Sequence, residues 1–199
     1  RAGWTPGAGD QHAYKNSVMH ADQTAGRMLE TLQRAGEAED TYTIVTGDHG
    51  EEFFECGFWG HTSNFLPPQV QVPFIFRGPG IEPGRESRPT SHLDFSSTML
   101  ELLGADPAAR GGYSLGADLL DPPQSRERVV AGWSDIGLWT ESGIFDIPLT
   151  APGIGGWVQE LECYDLPWNP VKDVALRCRT ERSALEKMAS ECTKFLKVR

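Results

Sequence analysis

The sequence lacks the features that mark several classes of protein. Its 199 residues carry 18 basic against 28 acidic side chains, and the net charge of −10 opposes non-specific binding to nucleic acid or to anionic membranes. It has no basic tract and no apolar run close to the ~18 residues of a membrane-spanning helix. Residues 1–4 do not form a signal peptide. The length and composition that remain are typical of an enzyme domain with one hydrophobic core.

Cysteine is also scarce. The four cysteines, Cys56, Cys163, Cys178 and Cys192, have no C-x-x-C spacing, which argues against a zinc ribbon. Their number permits disulfides, and Cys178 with Cys192 is a conceivable pair near the end of the chain. The alternative is that the thiols are free and buried, which is common for cysteine.

The chemistry of the chain is concentrated in residues 43–61, which read TIVTGDHGEEFFECGFWGH. Asp48 and His49 follow a short apolar strand, and carboxylate oxygen and imidazole nitrogen are ligands that suit zinc and manganese, and calcium less well. Neighbouring residues of a strand point to opposite faces, so this pair can share an ion only where the backbone turns. Gly47 and Gly50 flank the pair and allow such a turn.

The pair by itself has a second interpretation. Asp48 could cap a turn and His49 could be a hydrogen-bonded surface residue, because a motif as short as Asp-His-Gly recurs by chance. Two ligands are also too few to hold a catalytic ion. The surrounding sequence therefore has to decide between the two interpretations.

The pattern along the chain predicts an α/β fold. A helical period over residues 14–32 stops at Gly36, and the short β-branched run 42–46 is typical of a buried parallel strand. A helix followed by such a strand is one step of a doubly wound fold, in which ligands bind at the carboxyl ends of strands. Residues 50–71, rich in glycine, proline and aromatic residues, read as a long functional loop.

Further elements are expected downstream. Residues 72–76 predict a second strand, and Asp94 can cap a helix over 95–103 that buries Phe95, Met99, Leu102 and Leu103. Beyond residue 116, short strand candidates at 128–133, 138–140 and 157–163 suggest a small antiparallel subdomain in which Trp133, Trp139 and Trp157 are core. A last helix over 180–197 places Leu185, Met188, Cys192, Phe195 and Leu196 on one face.

Five landmarks in order along the chain resemble the sulfatase-like branch of the alkaline phosphatase superfamily. They lie in a helix before the apolar strand, in the Asp-His segment, in the next strand, in the helix after it and in a late turn. The matching segments are YKNSV at 14–18 with Asp22, TGDHGEEF at 46–53 with Gly60-His61, VPFIFRGPG at 72–80, HLDFSSTMLELLG at 92–104 and YDLPWNP at 164–170.

The resemblance implies a mainly parallel sheet flanked by helices, with residues 1–120 as the C-terminal part of the catalytic domain and 121–199 as an antiparallel subdomain ending in a helix. It implies a divalent metal ion, calcium, zinc or manganese, held by Asp48 and His49 together with carboxylates upstream of residue 1. It also implies that His61 acts on the transferring group, stabilising charge or protonating the leaving group. The nucleophile is expected upstream, so the 199 residues alone are expected to be inactive.

Other positions have weaker expectations. Glu51 and Glu52 are expected to cap or orient the ligand loop rather than bind metal. Cys56 stands where relatives often have histidine, which argues against a metal role there. His92 matches a family position but begins a helix, where a hydrogen bond that fixes the loop is the plainer role. His12 and His20 lie on the first helix and are expected at its surface.

Two functional classes remain open at this stage. The first is an enzyme that cleaves or transfers sulfate or phosphate esters of a small molecule, a sugar or a lipid, and His61 leans toward the phosphoethanolamine and glycerol-phosphate transferases. The second is a non-catalytic, membrane-associated regulator of the same fold, which residues 113–119 resemble; the intact Asp48, His49 and His61 argue against it. The resemblance implies a periplasmic or extracytoplasmic location, no nucleic-acid partner and membrane contact only through an upstream segment.

Overall fold

The computed structural model describes residues 8–149, 160–165 and 169–194. The chain divides into two compact units, one ending at Gly84 and the other beginning at Arg85. The boundary expected at residue 120 stays a prediction. Within the described residues, no helix is both long enough and apolar enough to cross a bilayer.

The first unit opens with helix α1, Ala8–Ala35. It ends where predicted, because Gly36 takes a φ of +77° that allows the chain to close the last turn with two backbone hydrogen bonds. Tyr14, Val18 and Met28, which belong to the predicted apolar stripe, are more than two-fifths exposed within the described residues. His12 and His20 are exposed, as expected.

Strand β1, Thr43–Thr46, pairs antiparallel with a later strand of the same unit, β4, Phe74–Arg77. The prediction that this run is a buried parallel strand was therefore wrong for this pairing, and Val45 on β1 is 36% exposed. A short apolar, β-branched run indicates a strand but not the direction of its neighbour, which depends on how the intervening chain returns. Strand β4 begins two residues later than predicted.

The segment between these strands has more regular structure than the expected loop. Strands β2, Glu52–Phe53, and β3, Trp59–Gly60, form a small antiparallel hairpin, and Pro67–Val70 forms the one-turn helix α2. Aromatic rings pack around the hairpin: the Phe53 ring meets Tyr14 of α1 edge-on with centroids 5.2 Å apart. The hairpin is therefore anchored to the first helix.

The second unit begins with helix α3, Leu93–Leu102. Its buried side is polar and not apolar as predicted: Asp94, Ser97 and Thr98 are at most 1% exposed, whereas Phe95 is 42% and Leu103 74% exposed. The reason is a hydrogen-bond network to the segment that follows. The carboxylate of Asp94 accepts hydrogen bonds from the backbone N–H groups of Ser91 and Ala117 and pairs with Arg126. Thr98 Oγ1 accepts from Leu119 N, and Ser97 Oγ donates to Ser114 Oγ.

An antiparallel meander confirms the expected subdomain sheet. The strand order is β5-β6-β7-β8-β9, each strand pairing with its successor in sequence. The prediction missed β7 and β9 and placed β6 too late, because glycine and aspartate in β6 and β7 weaken the apolar pattern. The strands are β5, Arg128–Ala131; β6, Asp135–Trp139; β7, Gly143–Pro148; β8, Glu162–Asp165; and β9, Asn169–Pro170.

One face of this sheet carries the core of the unit. Leu138, Phe145 and Cys163 pack with Ala184 and Met188. These last two lie on the final helix, α5, Arg182–Thr193, which begins two residues later than the predicted terminal helix. A short helix that the sequence pattern did not predict, α4, Val174–Thr180, precedes it.

Of the predicted apolar helix face, Leu185 and Cys192 also pack on the core, while Phe195 and Leu196 lie outside the described residues. Trp139 is buried as expected. Trp133 is 91% exposed and the core prediction for it was wrong, because it lies in the turn between β5 and β6. Trp157 is outside the described residues.

The sheet carries an acidic side chain whose titration should be visible in stability. Burial, with the nearby charges of Asp135 and Glu162, raises the pKa of Asp146 to about 6. A carboxyl group with a raised native pKa binds more protons in the folded state, so stability should fall by about 2 kcal/mol as the pH rises from 4 to 7. Urea unfolding should show that Asp146→Asn is more stable than the wild type at pH 8 and has lost that advantage at pH 4. Asp22→Asn, on exposed α1, should show no such difference.

Candidate functional site

The Asp48-His49 pair lies directly after β1, at its carboxyl end, separated from Thr46 by Gly47. The Asp48 side chain is 90% exposed and that of His49 43%. The backbone N–H of His49 donates to Asp48 Oδ1 at 3.0 Å, and this hydrogen bond lowers the pKa of Asp48. The turn that the sequence required is therefore present, and Asp48 offers an ionised oxygen at the surface of this unit.

His49 is oriented by its own backbone neighbourhood. Its Nδ1 lies 2.9 Å from the carbonyl oxygen of Gly50, which can only accept, so Nδ1 carries the proton of the neutral ring and Nε2 carries the lone pair. That Nε2 lies 3.8 Å from Asp48 Oδ2. Two electron-pair donors thus lie close together, and a hydrogen bond from the second ring nitrogen to a carbonyl is the usual arrangement of a metal-binding histidine.

His61 joins the pair from the far side of the β2–β3 hairpin. Its ring stacks on the His49 ring with centroids 4.2 Å apart. Its Nδ1 lies 3.0 Å from Glu51 Oε2, so an ionised Glu51 accepts from Nδ1–H and leaves Nε2 as the reactive nitrogen. The structure thus brings together the three predicted site residues, which span positions 48 to 61, and Glu51 contacts one of them.

Backbone geometry holds this arrangement closely. Gly60, just before His61, has a φ of +88°, and Thr62, just after it, has a φ of +63°. A β-branched residue in this region stores about 1–3 kcal/mol of strain, which the surrounding contacts must offset. At the other end of the loop a Cβ on Gly50 would lie 2.1 Å from the Pro68 carbonyl oxygen, so only glycine fits there.

Glu52 is the centre of the loop. Its side chain is fully buried, and its Oε1 accepts the backbone N–H groups of Cys56 and Phe58, each at 2.9 Å. Its Oε2 accepts from Asn64 Nδ2 at 3.1 Å and from Gln69 Nε2 at 2.8 Å. Burial raises the pKa of Glu52, but the four hydrogen bonds together outweigh it and lower the pKa below its usual value. The loop is folded around a buried carboxylate anion.

Sequence reasoning missed the other half of this network. Asn64 Oδ1 accepts from Leu66 N at 2.8 Å, and Gln69 Oε1 accepts from Ser63 N at 3.1 Å. Both amide side chains are buried, and each is hydrogen-bonded through its oxygen and through its NH₂ group. Nothing in the spacing of these polar residues forms a motif. One signal was available: Glu52 directly precedes Phe53 and Phe54, and a glutamate beside such apolar residues must be hydrogen-bonded if it points inward.

The donor set fits a divalent cation but does not complete its coordination. A separation of 3.8 Å between Asp48 Oδ2 and His49 Nε2 lets one ion touch both, given metal–ligand bonds of about 2.0–2.5 Å. Within the described residues, no group of three or more histidine, cysteine, aspartate or glutamate side chains is close enough to hold a metal ion. The site therefore supplies two ligands.

The remaining candidates have different local surroundings. His92 is the residue before α3, in the second unit. Cys56 donates its backbone N–H to Glu52, and burial raises the pKa of its thiol, which disfavours the thiolate that a metal would need. All four cysteines are free.

Comparison with known proteins places the chain in a family. The family model for sulfatases matches residues 6–105, half of the chain, and this segment contains Asp48, His49 and His61. A choline-sulfatase of Rhizobium meliloti is 35% identical over 94 residues, covering 47% of this chain and 18% of that protein. An arylsulfatase of Volvox carteri is 33% identical over 94 residues, covering 45% of this chain and 14% of that protein.

A longer match reaches beyond the family segment. The low-salt glycan biosynthesis sulfotransferase Agl7 of Haloferax volcanii is 29% identical over 159 residues, covering 75% of this chain and 38% of that protein. The chain thus spans well under half the length of these curated relatives.

The fold has a solved counterpart. A crystal structure of a protein of the alkaline phosphatase superfamily from Vibrio parahaemolyticus superposes with a TM-score of 0.59 at 20% identity, covering 92% of this chain and 43% of that one. The likeness confirms the predicted fold class: an α/β fold of that superfamily. With the family match over residues 6–105, it shows that the chain belongs to the sulfatase family.

Proposed function

We propose that this chain supplies part of the active site of a metal-assisted hydrolase of sulfate esters. One observation carries the proposal: Asp48 Oδ2 and His49 Nε2 lie 3.8 Å apart, with the His61 ring stacked 4.2 Å from that of His49. Asp48 and His49 bind the metal ion, and His61 acts on the group that is transferred.

The metal would supply positive charge at the ester oxygens and favour the deprotonated nucleophile. Its identity among calcium, zinc and manganese is open, since one oxygen and one nitrogen ligand suit all three to different degrees. Superfamily members generally use a divalent metal ion, which fits the donor set. The protein's own contribution is to hold Asp48 on a turn and to fix His49 through the Gly50 carbonyl.

His61 has two roles open to it. With Nδ1 bound to Glu51, its Nε2 can donate a proton to the leaving oxygen, or the protonated ring can stabilise charge on the transferring group. Both roles place Glu51 as the residue that orients the imidazole. The His61 ring lies beside that of His49, so in either role it would act next to the residues that would hold the metal.

The two ligands do not make a site on their own. We propose that the further ligands and the nucleophile, which forms a covalent intermediate with the transferred group, come from residues outside these 199. The 199-residue chain alone is therefore expected not to hydrolyse aryl sulfates or phosphate esters. This follows from the pair of ligands within the described residues and from the share of the relatives that the chain spans.

The names of the relatives favour sulfur over phosphorus. A choline-sulfatase, an arylsulfatase and a steryl-sulfatase are among them, which supports a sulfate ester of a small molecule or sugar as the substrate. A second candidate is transfer of sulfate to a glycan, because the match to the sulfotransferase Agl7 extends over 75% of this chain. Phosphoryl transfer is supported only by the resemblance of His61 to the histidine of the phosphoethanolamine and glycerol-phosphate transferases.

Metal binding tests the proposal. Calorimetry with Zn²⁺, Mn²⁺ and Ca²⁺ on the polypeptide that contains both this chain and the upstream region should show one ion bound. Asp48→Ala should weaken that binding at least about tenfold, because it removes a direct ligand. Even the loss of a residue that only hydrogen-bonds to a ligand typically lowers metal affinity by about 10–100-fold. Asp40→Ala, an exposed aspartate on the turn before β1, is the matched control and should bind normally. Failure of the unaltered polypeptide to bind any of these metals would remove the enzyme interpretation and favour the regulator.

A further inference from the structure

Three of the four cysteines meet in the core of the second unit. Cys163 on β8 is 2% exposed and belongs to the buried cluster with Leu138 and Phe145. Cys178 of α4 and Cys192 of α5 pack against that same cluster. The sequence left Cys178 with Cys192 as a conceivable pair, and the structure adds Cys163 to the same cluster.

The Cys178 side chain packs against the cluster that contains Cys163, and its thiol is one of the groups that raise the pKa of the Cys163 thiol. This contact is held from both sides. Upstream of α4, the backbone N–H of Val171 donates to the carbonyl of Cys163 at 2.8 Å, and Asp173 caps the helix by accepting from Leu176 N.

Arg177 of α4 binds to the sheet near Cys163. Its guanidinium pairs with Asp165, two residues from Cys163 on β8, and donates to the carbonyl oxygen of Ser142 at 2.8 Å. Arg177, the neighbour of Cys178, therefore ties α4 to the strand that carries Cys163. A bond between the two sulfurs would join groups that the fold already holds together.

We propose that Cys163 and Cys178 form a disulfide that ties α4 to β8. The oxidant is a low-molecular-weight disulfide such as oxidised glutathione. One protein thiolate attacks it and releases one small thiol, giving a mixed disulfide. The second protein thiolate then attacks the cysteine sulfur of the mixed disulfide, forming the protein disulfide and releasing the second small molecule as its thiolate. The two protons lost by the protein thiols are taken up by the two released thiolates.

The environment of the pair determines when this exchange is fast. Burial, the neighbouring Cys178 thiol and Asp165 raise the pKa of the Cys163 thiol to about 12, while Arg177 acts in the opposite direction. At pH 8 such a thiol is thiolate in about one molecule in ten thousand, against about a quarter for an unperturbed cysteine of pKa ~8.5. The bond should therefore form readily while the chain folds and at least about 100-fold more slowly once the fold is complete.

The bond would stabilise the end of the chain. It closes a loop of about 15 residues that contains β9 and the start of α4, and constraining such a loop in the unfolded chain should raise Tm by roughly 5–10 °C. The cross-link acts on the second unit and involves none of the site residues. It therefore stands or falls independently of the proposed function.

The experiment is a comparison of refolding and native oxidation. The reduced, unfolded 199-residue chain is refolded in a mixture of reduced and oxidised glutathione, free thiols are alkylated, and peptide mapping locates any cross-link. The expected product has a Cys163–Cys178 bridge, free Cys56 and Cys192, and a Tm that falls on addition of dithiothreitol. The natively folded, reduced protein should form the same bridge at least about 100-fold more slowly in the same buffer.

Variants separate the outcomes. Cys178→Ser should abolish the bridge and the Tm difference, and Cys163→Ala should do the same without placing a hydroxyl in the core. Cys192→Ser is the matched control, because it removes a thiol from the same cluster and should leave bridge and Tm difference intact. Four free thiols after refolding, or a bridge that involves Cys192, would overturn the proposal. If the chain does not refold, oxidation of the natively folded protein decides: four free thiols, or a bridge that involves Cys192, would again overturn the proposal.

Discussion

Replacing Glu52 with glutamine should loosen the loop that carries His61, although the change keeps the size and shape of the side chain. All four partners of the carboxylate are N–H donors, from Cys56, Phe58, Asn64 and Gln69. An amide can accept at one end only, so its NH₂ group must face another donor. Leaving a buried donor unsatisfied costs about 2–3 kcal/mol.

Two measurements on the 199-residue chain should report this loss. Amide hydrogen exchange of Cys56 and Phe58 should accelerate by about 100-fold in the Glu52→Gln variant, since about 1.4 kcal/mol is a factor of ten in the opening equilibrium. The nuclear Overhauser contact between the rings of His49 and His61, expected from their stacking at 4.2 Å, should weaken or vanish.

Controls distinguish positioning of His61 from a general loss of stability. Glu55→Gln alters an exposed carboxylate on the same loop, which accepts from Phe53 N, and should leave the ring contact unchanged. The double variant Glu52→Gln with Gln69→Glu returns a carboxylate to the pair and should restore part of the contact. A ring contact that survives Glu52→Gln unchanged would show that Glu52 does not position His61.

The network also shows where prediction from sequence succeeds. The turn after β1 followed from chemistry: adjacent Asp48 and His49 can share a ligand only where a strand has ended, and glycines on both sides permit that. The family landmarks then indicated which residues meet. The stacking of His61 on His49 at 4.2 Å joins residues at the two ends of a loop, and that loop is held by long-range hydrogen bonds, above all those of Glu52, which no local pattern encodes.

The errors have physical causes of the same kind. Helix α3 looked amphipathic with an apolar buried face, yet its buried side chains are Asp94, Ser97 and Thr98. Their partners lie in a loop about twenty residues downstream, and a fully bonded buried polar group costs far less than its hydropathy suggests. The direction of β1 failed likewise, because the pairing of a short strand is set by its partner, β4, and not by its own residues. Apolar periodicity predicts elements well and predicts their partners poorly.

Replacing His61 with alanine should lower kcat by about 100-fold to 10,000-fold, the range for losing a positioned acid or base. The assay uses the polypeptide that contains the upstream region, with aryl and alkyl sulfates as substrates. Metal binding should be unaffected, because His61 stacks on His49 through its ring face and reaches Glu51 through Nδ1. His20→Ala, an exposed histidine on α1, is the control and should leave kcat unchanged.

The leaving group then separates the two roles of His61. The nitrophenolate of a nitrophenyl sulfate leaves without protonation, whereas the alkoxide of an alkyl sulfate needs a proton donor. Loss of a general acid should therefore lower kcat far more for the alkyl ester. His61→Lys sharpens the test, because an ammonium of pKa ~10.4 supplies charge but is a weak acid at neutral pH. If His61 stabilises charge, lysine should preserve activity on both esters; if it donates the proton, lysine should preserve it only on the nitrophenyl ester. Activity of His61→Ala equal to the unaltered enzyme on both substrates would exclude His61 from the reaction.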